Sequence, residues 1–322
     1  MTEYSEGTLA HNTLHTVAFY NLENLYDYYD DSKTYDTDFL PISVKKWTPK
    51  RYDNKLRKLS FTIANIGEKE TGKHPALVGL AEVENAKVIN DLINYKHLAS
   101  CNYGYVHYNS LDERGIDVAL LYDKNAFVVT HSEVFRILLN HESGLPDYTR
   151  DILLVSGLLD SEAVTIIVNH WSSRREGEME TEPKRMASSN KVAEIITNLR
   201  ITNPDAKIIV MGDFNDDPSS NSIKNLVSGA NLYNAMDTLR LYSRGSTNHN
   251  RQWNLFDQIM ITTNFFESIP NILGYETANI FDEDYLKNFN GKFKGTPYRT
   301  YIGKTYQGGY SDHFPVYAIF SK

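Results

Sequence analysis

The run Ile208–Ser220, IIVMGDFNDDPSS, sets the tightest limit on what this chain can fold into. Its consecutive apolar residues leave no polar face, so the strand they form is expected to be covered on both sides. Gly212 removes a side chain just before Asp213, so that backbone or a ligand can approach closely. Asp217-Pro218 then stops the strand, because proline cannot donate into a ladder. Asp213 and Asn215, two residues apart, project to the same side if the strand persists through them. That pair suits a site that steers a water and hydrogen-bonds an anion. Gly-Asp-x-Asn also makes ordinary Asx turns, so its weight depends on whether other segments are built alike.

They are. Strand-like runs recur at Thr16–Tyr20, Ala76–Ala81, Ile116–Tyr122, Ile152–Leu158, Val164–Val168, Lys207–Met211, Gln258–Ile261 and Phe314–Phe320. Several are short and wholly apolar rather than alternating. Between them, Leu56, Leu59, Ile63 and Ile66 fall at helical spacing, as do Met186, Ala193, Ile196 and Leu199, and Val88, Leu92 and Tyr95. Some strands follow one another directly, as in Ile152–Val168, which points to antiparallel pairing inside a layered α/β protein. Two sheets packed face to face with helices outside would explain the doubly buried runs. Ala235–Trp253 and Asn279–Gly309, rich in Gly, Tyr, Asn and charge, read as long surface loops.

The chain has 322 residues and no internal repeat, linker or low-complexity run, so one domain over residues 15–322 is expected behind an extension, residues 1–14. A net charge of −8 argues against a long basic groove gripping nucleic acid by charge alone. Cys101 is the single cysteine, so no intrachain disulfide can form, which fits a reducing compartment. No apolar run approaches the roughly 20 residues of a membrane span. The opening MTEYSEGTLAHNTLH has neither a basic nor an apolar leader segment. The expectation is a cytoplasmic monomer, with secretion open only if a leader was removed.

Six run ends carry reactive groups: Asn21 and Glu23; Glu82 and Glu84; Asn169 and His170; Asp213 and Asn215; Asp257; and Asp312 with His313. Each has a bland explanation. Asn21 could form a turn, and Glu82 could begin a helix. Glu84 and Asn85 are best read as helix caps. His170 beside Trp171 could simply pack, and Asp312-His313 could be an exposed turn. Six such ends in one chain are hard to assign to chance.

Carboxylate and amide oxygens are the hard ligands that Mg²⁺ or Mn²⁺ prefers. The sequence has no thiolate-rich zinc cluster, no phosphate-binding Gly-x₄-Gly-Lys-Ser/Thr loop and no recognisable cysteine nucleophile. A metal-assisted hydrolase without a covalent intermediate remains.

In the order of its motifs the chain resembles the endonuclease/exonuclease/phosphatase superfamily. GDFND and SDHFPVY are the most specific pieces, with GLAEVEN and VNHW behind them, and the match runs from Asn21 to His313. The longer strings FYNLENLYD, RGIDVALLYD, TRDIL and NHWSSR resemble an uncharacterised bacterial branch of it. The resemblance implies a four-layer α/β/β/α sandwich of two mixed, largely antiparallel sheets, with the site at one edge. It implies a phosphodiester hydrolase, most naturally a nuclease, with a lipid or inositol phosphatase or a catalytically silent binding module as alternatives. By this resemblance Glu82 binds Mg²⁺ (or Mn²⁺), with Asn21 beside it and Asp312 contributing. Asp213 and Asn215 orient the attacking water and the scissile phosphate, and His313 contacts phosphate with Asp257 orienting it. His170 is the second histidine, and Asn169 touches phosphate. Asp117 of RGID is a candidate support for His170, with an edge-strand surface acid as its equal alternative. Arg114, Arg150, Arg174, Arg175 and Arg185 are candidate phosphate clamps, since guanidinium pairs bidentately with phosphate. Ala81 stands where the family often has Gln. Two arginines just past His170 incline the substrate expectation toward nucleic acid.

Overall fold

The computed structural model describes residues 13–140, 144–267 and 269–322. Of the expected extension, residues 1–12 lie outside the described residues, and the first strand begins at Leu14. In chain order the sheet strands are β1 (Leu14–Leu25), β2 (Leu77–Val83), β3 (Tyr103–His107), β4 (Asp117–Asp123), β5 (Phe127–Phe135), β6 (Ile152–Leu159), β7 (Glu162–His170), β8 (Lys207–Asp213), β9 (Leu232–Asn234), β10 (Asp257–Thr262), β11 (Gly274–Ile280) and β12 (Val316–Ser321). They form two six-stranded sheets, ordered β11-β12-β1-β2-β4-β3 and β9-β10-β8-β7-β6-β5. The β1–β2 and β7–β8 pairs are parallel and the others antiparallel. Helices α1 (Pro49–Asn65) and α2 (Ala86–Ile93) cover the first sheet, while α3 (Glu178–Thr202) and α4 (Asn221–Gly229) cover the second.

The wholly apolar runs are explained by this layering. Along β8, Ile209 and Met211 face the first sheet, whereas Ile208 and Val210 pack with Val192 and Ile196 of α3 and Ile223 and Leu226 of α4. Successive side chains on a strand point to opposite faces, and here both faces are interior. The sheets approach closely where β2 crosses β8: a side chain at Gly79 would sit 2.5 Å from Met211 Sδ. The Leu56–Leu59–Ile63–Ile66 stripe is buried against the first sheet as its spacing predicts. Asn85 caps α2 by accepting the Val88 N–H at 3.1 Å. Glu84 does not cap it; its Oε2 accepts the Asp27 N–H at 2.6 Å, and burial pushes its carboxyl up to about 8. No helix among the described residues is long and apolar enough to cross a membrane.

Candidate active site

Parallel pairing sends β1 and β2 out of the same edge of one sheet, and β7 and β8 out of the corresponding edge of the other. β10 and β12 enter there. Register then does the rest: in the second sheet His170, Asp213 and Asp257 lie side by side, Asp213 opposite both of the others. In the first, Asn21 lies opposite Ala81, one residue before Glu82. Beyond that point the β1–β2 register shifts, and Glu23, Asn24 and Glu82 take left-handed φ values of 50°, 56° and 63°. Non-glycine residues there cost of order 1–3 kcal/mol each and persist only where surroundings enforce them. The irregularity re-aims Glu82 at the mouth, as strand bulges beside active sites do. The Asn24 N–H donates to Glu82 Oε2 at 2.8 Å and holds the carboxylate there.

Gly212 serves the scaffold: a side chain on it would stand 2.4 Å from the Asn169 carbonyl of β7. Next to it, Asp213 is fixed at both oxygens. Asn21 Nδ2 donates to Oδ2 at 2.9 Å across the two sheets, and the Asn215 N–H donates to Oδ1 at 2.9 Å. Asn215 has φ 50°, and its amide donates to the Trp171 carbonyl at 3.0 Å. Two imidazoles flank Asp213, with His170 Nε2 at 3.8 Å and His313 Nε2 at 3.9 Å from Oδ2. His170 Nε2 is also 3.9 Å from Glu82 Oε1, and Asp312 Oδ1 is 3.9 Å from His313 Nε2. His313 Nδ1 and Asp257 Oδ2 share a 2.6 Å hydrogen bond. Groups from six chain segments therefore meet in one place.

Their charges follow from burial and neighbours. Burial pushes the Asp213 carboxyl up to about 7, against the pull of His313 and with the Asp257 carboxylate adding to it. Burial would lower His313, but the Asp257 and Asp213 carboxylates outweigh it and hold the imidazolium well above the usual histidine range. His170 is driven the other way, by burial and then by Arg150, Arg114 and His313, which favours the neutral imidazole. The two histidines facing this carboxylate are thus pushed in opposite directions.

Several expected participants are committed elsewhere. Asn169 is fully buried; its side-chain carbonyl accepts the Trp171 indole N–H at 3.2 Å and its amide faces the Ile167 and Met211 carbonyls. Asp117 does not contact His170: it accepts the Ser110 N–H at 3.1 Å and lies 3.5 Å from His107 Nε2, while His170 Nδ1 is buried without a partner among the described residues. Arg150 is buried between Asp112, at 3.0 Å, and the Trp171 carbonyl, at 2.8 Å. Arg174 donates to the Asn215 carbonyl and to Asp216, and Arg185 is paired with Asp216 at 2.7 Å. In this structure these three arginines are held by internal partners around the Asp213–Asp217 turn. Arg114 does stand at the mouth, 3.9 Å from Glu82 Oε2 and bonded to Asn24 Oδ1. Arg175 is exposed and has no ion-pair partner among the described residues.

The structure adds Arg299 and Lys55, which the sequence did not single out, and ties them to Glu23. Arg299 pairs with Asp312 at 2.7 Å and with the buried Glu23 at 3.5 Å. Glu23, pushed up to about 7 by burial and Asp312, accepts the Thr300 and Tyr301 N–H groups. The buried Lys55 lies in the same electrostatic cluster, burial bringing it down to about 8. A hairpin, Thr247–His249 with Gln252–Asn254, pins the histidine segment: Thr247 Oγ1 donates to the Asp312 carbonyl, and the Phe314 N–H donates to the Ser246 carbonyl. No sequence signal marks Arg299, a lone arginine in a polar loop.

Two places could draw a cation. Ligand atoms of Asp213, Asp257 and His313 lie within 4.8 Å of one another. In that cluster His313 Nδ1 is already engaged with Asp257 Oδ2 at 2.6 Å. The oxygens around Glu82 are a second set. Glu82 Oε1 accepts no hydrogen bond among the described residues, Asp312 Oδ1 is not used by Arg299, and Asn21 Oδ1 bonds only the Glu23 N–H at 2.9 Å. Hard oxygen donors with spare lone pairs fit Mg²⁺ or Mn²⁺.

Residues 16–322 match the Endonuclease/Exonuclease/phosphatase family. No protein of curated function matches the sequence. Among solved structures, an endonuclease/exonuclease/phosphatase family protein from Bacteroides thetaiotaomicron shares 18% identity at a TM-score of 0.61, covering 96% of this chain and 98% of that one. A mannosyl-6-phosphatase from the same organism shares 17% at 0.58, covering 95% and 99%. A truncated TDP2 from Caenorhabditis elegans shares 17% at 0.56, covering 96% and 98%. At these identities the likeness concerns the fold, while the sequence match covers nearly the whole length. The chain belongs to the endonuclease/exonuclease/phosphatase family.

Proposed function

We propose that this protein is a divalent-metal-dependent phosphodiester hydrolase acting by in-line attack of water, with nucleic acid as the first substrate class to test. The observation that carries this reading is Asp213, anchored at both oxygens and flanked by His170 and His313. Asn21 and the Asn215 N–H fix its rotamer, leaving Oδ2 able to accept a proton from water. A carboxyl at about 7 is matched to that task near neutral pH. His313, kept cationic by Asp257, and neutral His170 present Nε2 donors to the non-bridging oxygens of a phosphate. Donors preorganised in a dry site are usually the largest single contribution to rate. Glu82, with Asp312 and Asn21, would hold Mg²⁺ or Mn²⁺, which when bound neutralises charge developing on phosphate.

A second reading, a phosphatase of small phosphorylated molecules, is favoured by the commitment of Arg150, Arg174 and Arg185 to buried acids and carbonyls. With those three paired internally, fewer cations are left to hold a long polyanion on a chain of net charge −8. One protein of the same fold is a mannosyl-6-phosphatase. Assays of bis-p-nitrophenyl phosphate, plasmid DNA, single-stranded RNA, a phosphoinositide and a sugar phosphate with Mg²⁺, Mn²⁺ or Ca²⁺ separate the two. Metal-dependent turnover abolished by Glu82→Ala is expected. Silence across the panel, or full activity in Glu82→Ala, would overturn the proposal.

A further inference from the structure

Beside the site, on the far side of Asp312, opens a cavity of about 400 Å³. One wall is the tip of the 247–254 hairpin, with His249 and Arg251. The other is the 288–302 loop, with Lys292, Phe293, Arg299 and Ile302. The formal charge of this lining is opposite to that of the chain. Arg251, Lys292 and Arg299 give +3 and Asp312 gives −1, so the cavity carries +2 on a molecule of −8, His249 taken as neutral. Arg299 is neutralised by Asp312 and Glu23. Arg251 and Lys292 have no acidic partner among the described residues, although carboxylates outnumber cations in the chain. Concave surfaces lined by one sign of charge focus the potential and gather ligands of the other sign.

We propose that this cavity is a substrate subsite that takes a second phosphate, borne by the same molecule as the scissile one, with the ring that carries it lying against Phe293 and Ile302. Arg251 and Lys292 are the specificity-determining residues, and neither touches the reacting atoms. The position supports this: Asp312 lines the cavity, and its Oδ1 is 3.9 Å from His313 Nε2, so the subsite begins one residue from the phosphate-binding histidine. The 247–254 hairpin that bears Arg251 also pins Asp312 and Phe314, so this wall of the cavity is tied directly to the histidine segment. Phe293, 38% exposed, and Ile302, 37% exposed, supply an apolar wall that a bare phosphate would not need. The subsite rests on the proposed phosphoester hydrolysis for its use in catalysis, but not for its ability to bind.

Two measurements test it on the full-length protein and on Arg251→Ala/Lys292→Ala. In the first, calorimetry in EDTA compares thymidine 3′,5′-bisphosphate with thymidine 5′-monophosphate, and inositol 1,4-bisphosphate with inositol 1-phosphate. The bisphosphate of at least one pair should bind about tenfold or more tighter to the wild type, and the double variant should lose that preference. Which pair shows the effect identifies a nucleotide or an inositol as the carrier. In the second, thymidine 5′-(p-nitrophenyl phosphate) is compared with its 3′-phosphorylated form. If the nucleotide is the carrier, the variant should lose about tenfold in kcat/KM on the 3′-phosphorylated form only. Bis-p-nitrophenyl phosphate, which has no second phosphate, should turn over unchanged. Equal binding of mono- and bisphosphates within both pairs, or a variant that retains the preference, overturns the subsite. Absence of turnover with the binding preference intact would instead fault the proposed reaction.

Discussion

Replacing Arg150 with Met separates a structural arginine from a substrate clamp. The guanidinium and its partner Asp112 are 8% and 4% exposed and 3.0 Å apart, and the same guanidinium donates to the Trp171 carbonyl. Arg150→Met leaves the Asp112 carboxylate buried without its cation, although the Arg114 N–H still donates to it. Breaking a buried pair from one side costs about 3–5 kcal/mol. Unfolding entropy is roughly 2.1 cal/mol/K per residue, so over 322 residues the expected fall in Tm is about 4–7 °C. Adding Asp112→Asn removes the stranded charge and keeps an acceptor for the Arg114 N–H, so the double variant should recover most of that loss. Thermal melts followed by circular dichroism read the stability. Steady-state kinetics on bis-p-nitrophenyl phosphate, well below Tm, should show KM unchanged. An unaltered Tm with KM raised about tenfold would mean that Arg150 grips substrate after all.

Asp257→Asn keeps a hydrogen-bond acceptor for His313 Nδ1 but removes the carboxylate that sustains the imidazolium, so kcat/KM should fall on the order of 10²-fold and the high-pH limb of the rate profile should move to lower pH; an unchanged profile would contradict the assignment. Glu84 is protonated up to about 8 in the folded protein but ionises near the ordinary carboxylate range when unfolded. Between those pH values the native state binds more protons, so the Glu84 contribution to stability is complete at low pH and is lost as pH rises toward 8. Glu84→Gln should therefore match or trail the wild type in Tm near pH 5 and exceed it at pH 8.5, as melts across that range would show. Gly212→Ala would push a methyl against the Asn169 carbonyl, whereas Gly79→Ala meets the flexible Met211 thioether; the first should lower stability in urea melts by about 1–3 kcal/mol and clearly more than the second.

The legibility of this fold follows burial. The eight runs read from the sequence correspond to the eight inner strands, β1, β2, β4, β6, β7, β8, β10 and β12, whose apolar character is enforced by cover on both faces. The four strands that were not read, β3, β5, β9 and β11, are the edges of the two sheets. β5 buries only Phe127 fully, and β11, reading GYETANI, looks like the polar loop that follows it. The same logic divides the site. Asp213, His170 and His313 were visible because each interrupts an apolar run at a strand end. The partners of three arginines are not legible in the sequence, because Asp112 for Arg150 and Asp216 for Arg174 and Arg185 lie 31 to 42 positions away and become neighbours only in three dimensions. Asn169 and Asp117 were placed correctly at strand ends, but alternation and local partners turn them away from the mouth.

The claim on which the rest depends is that side chains from two different sheets act as one hydrolytic centre. A double-mutant cycle on Glu82 of β2 and Asp213 at the end of β8 tests it most directly, read as Mg²⁺-dependent turnover of bis-p-nitrophenyl phosphate. Glu82→Gln and Asp213→Asn should each cost on the order of 10²–10³ in kcat. The double variant should be within a few-fold of the slower single one, because groups that work as a unit are lost together. Near wild-type activity in either single variant, or losses that simply multiply, would contradict a shared centre.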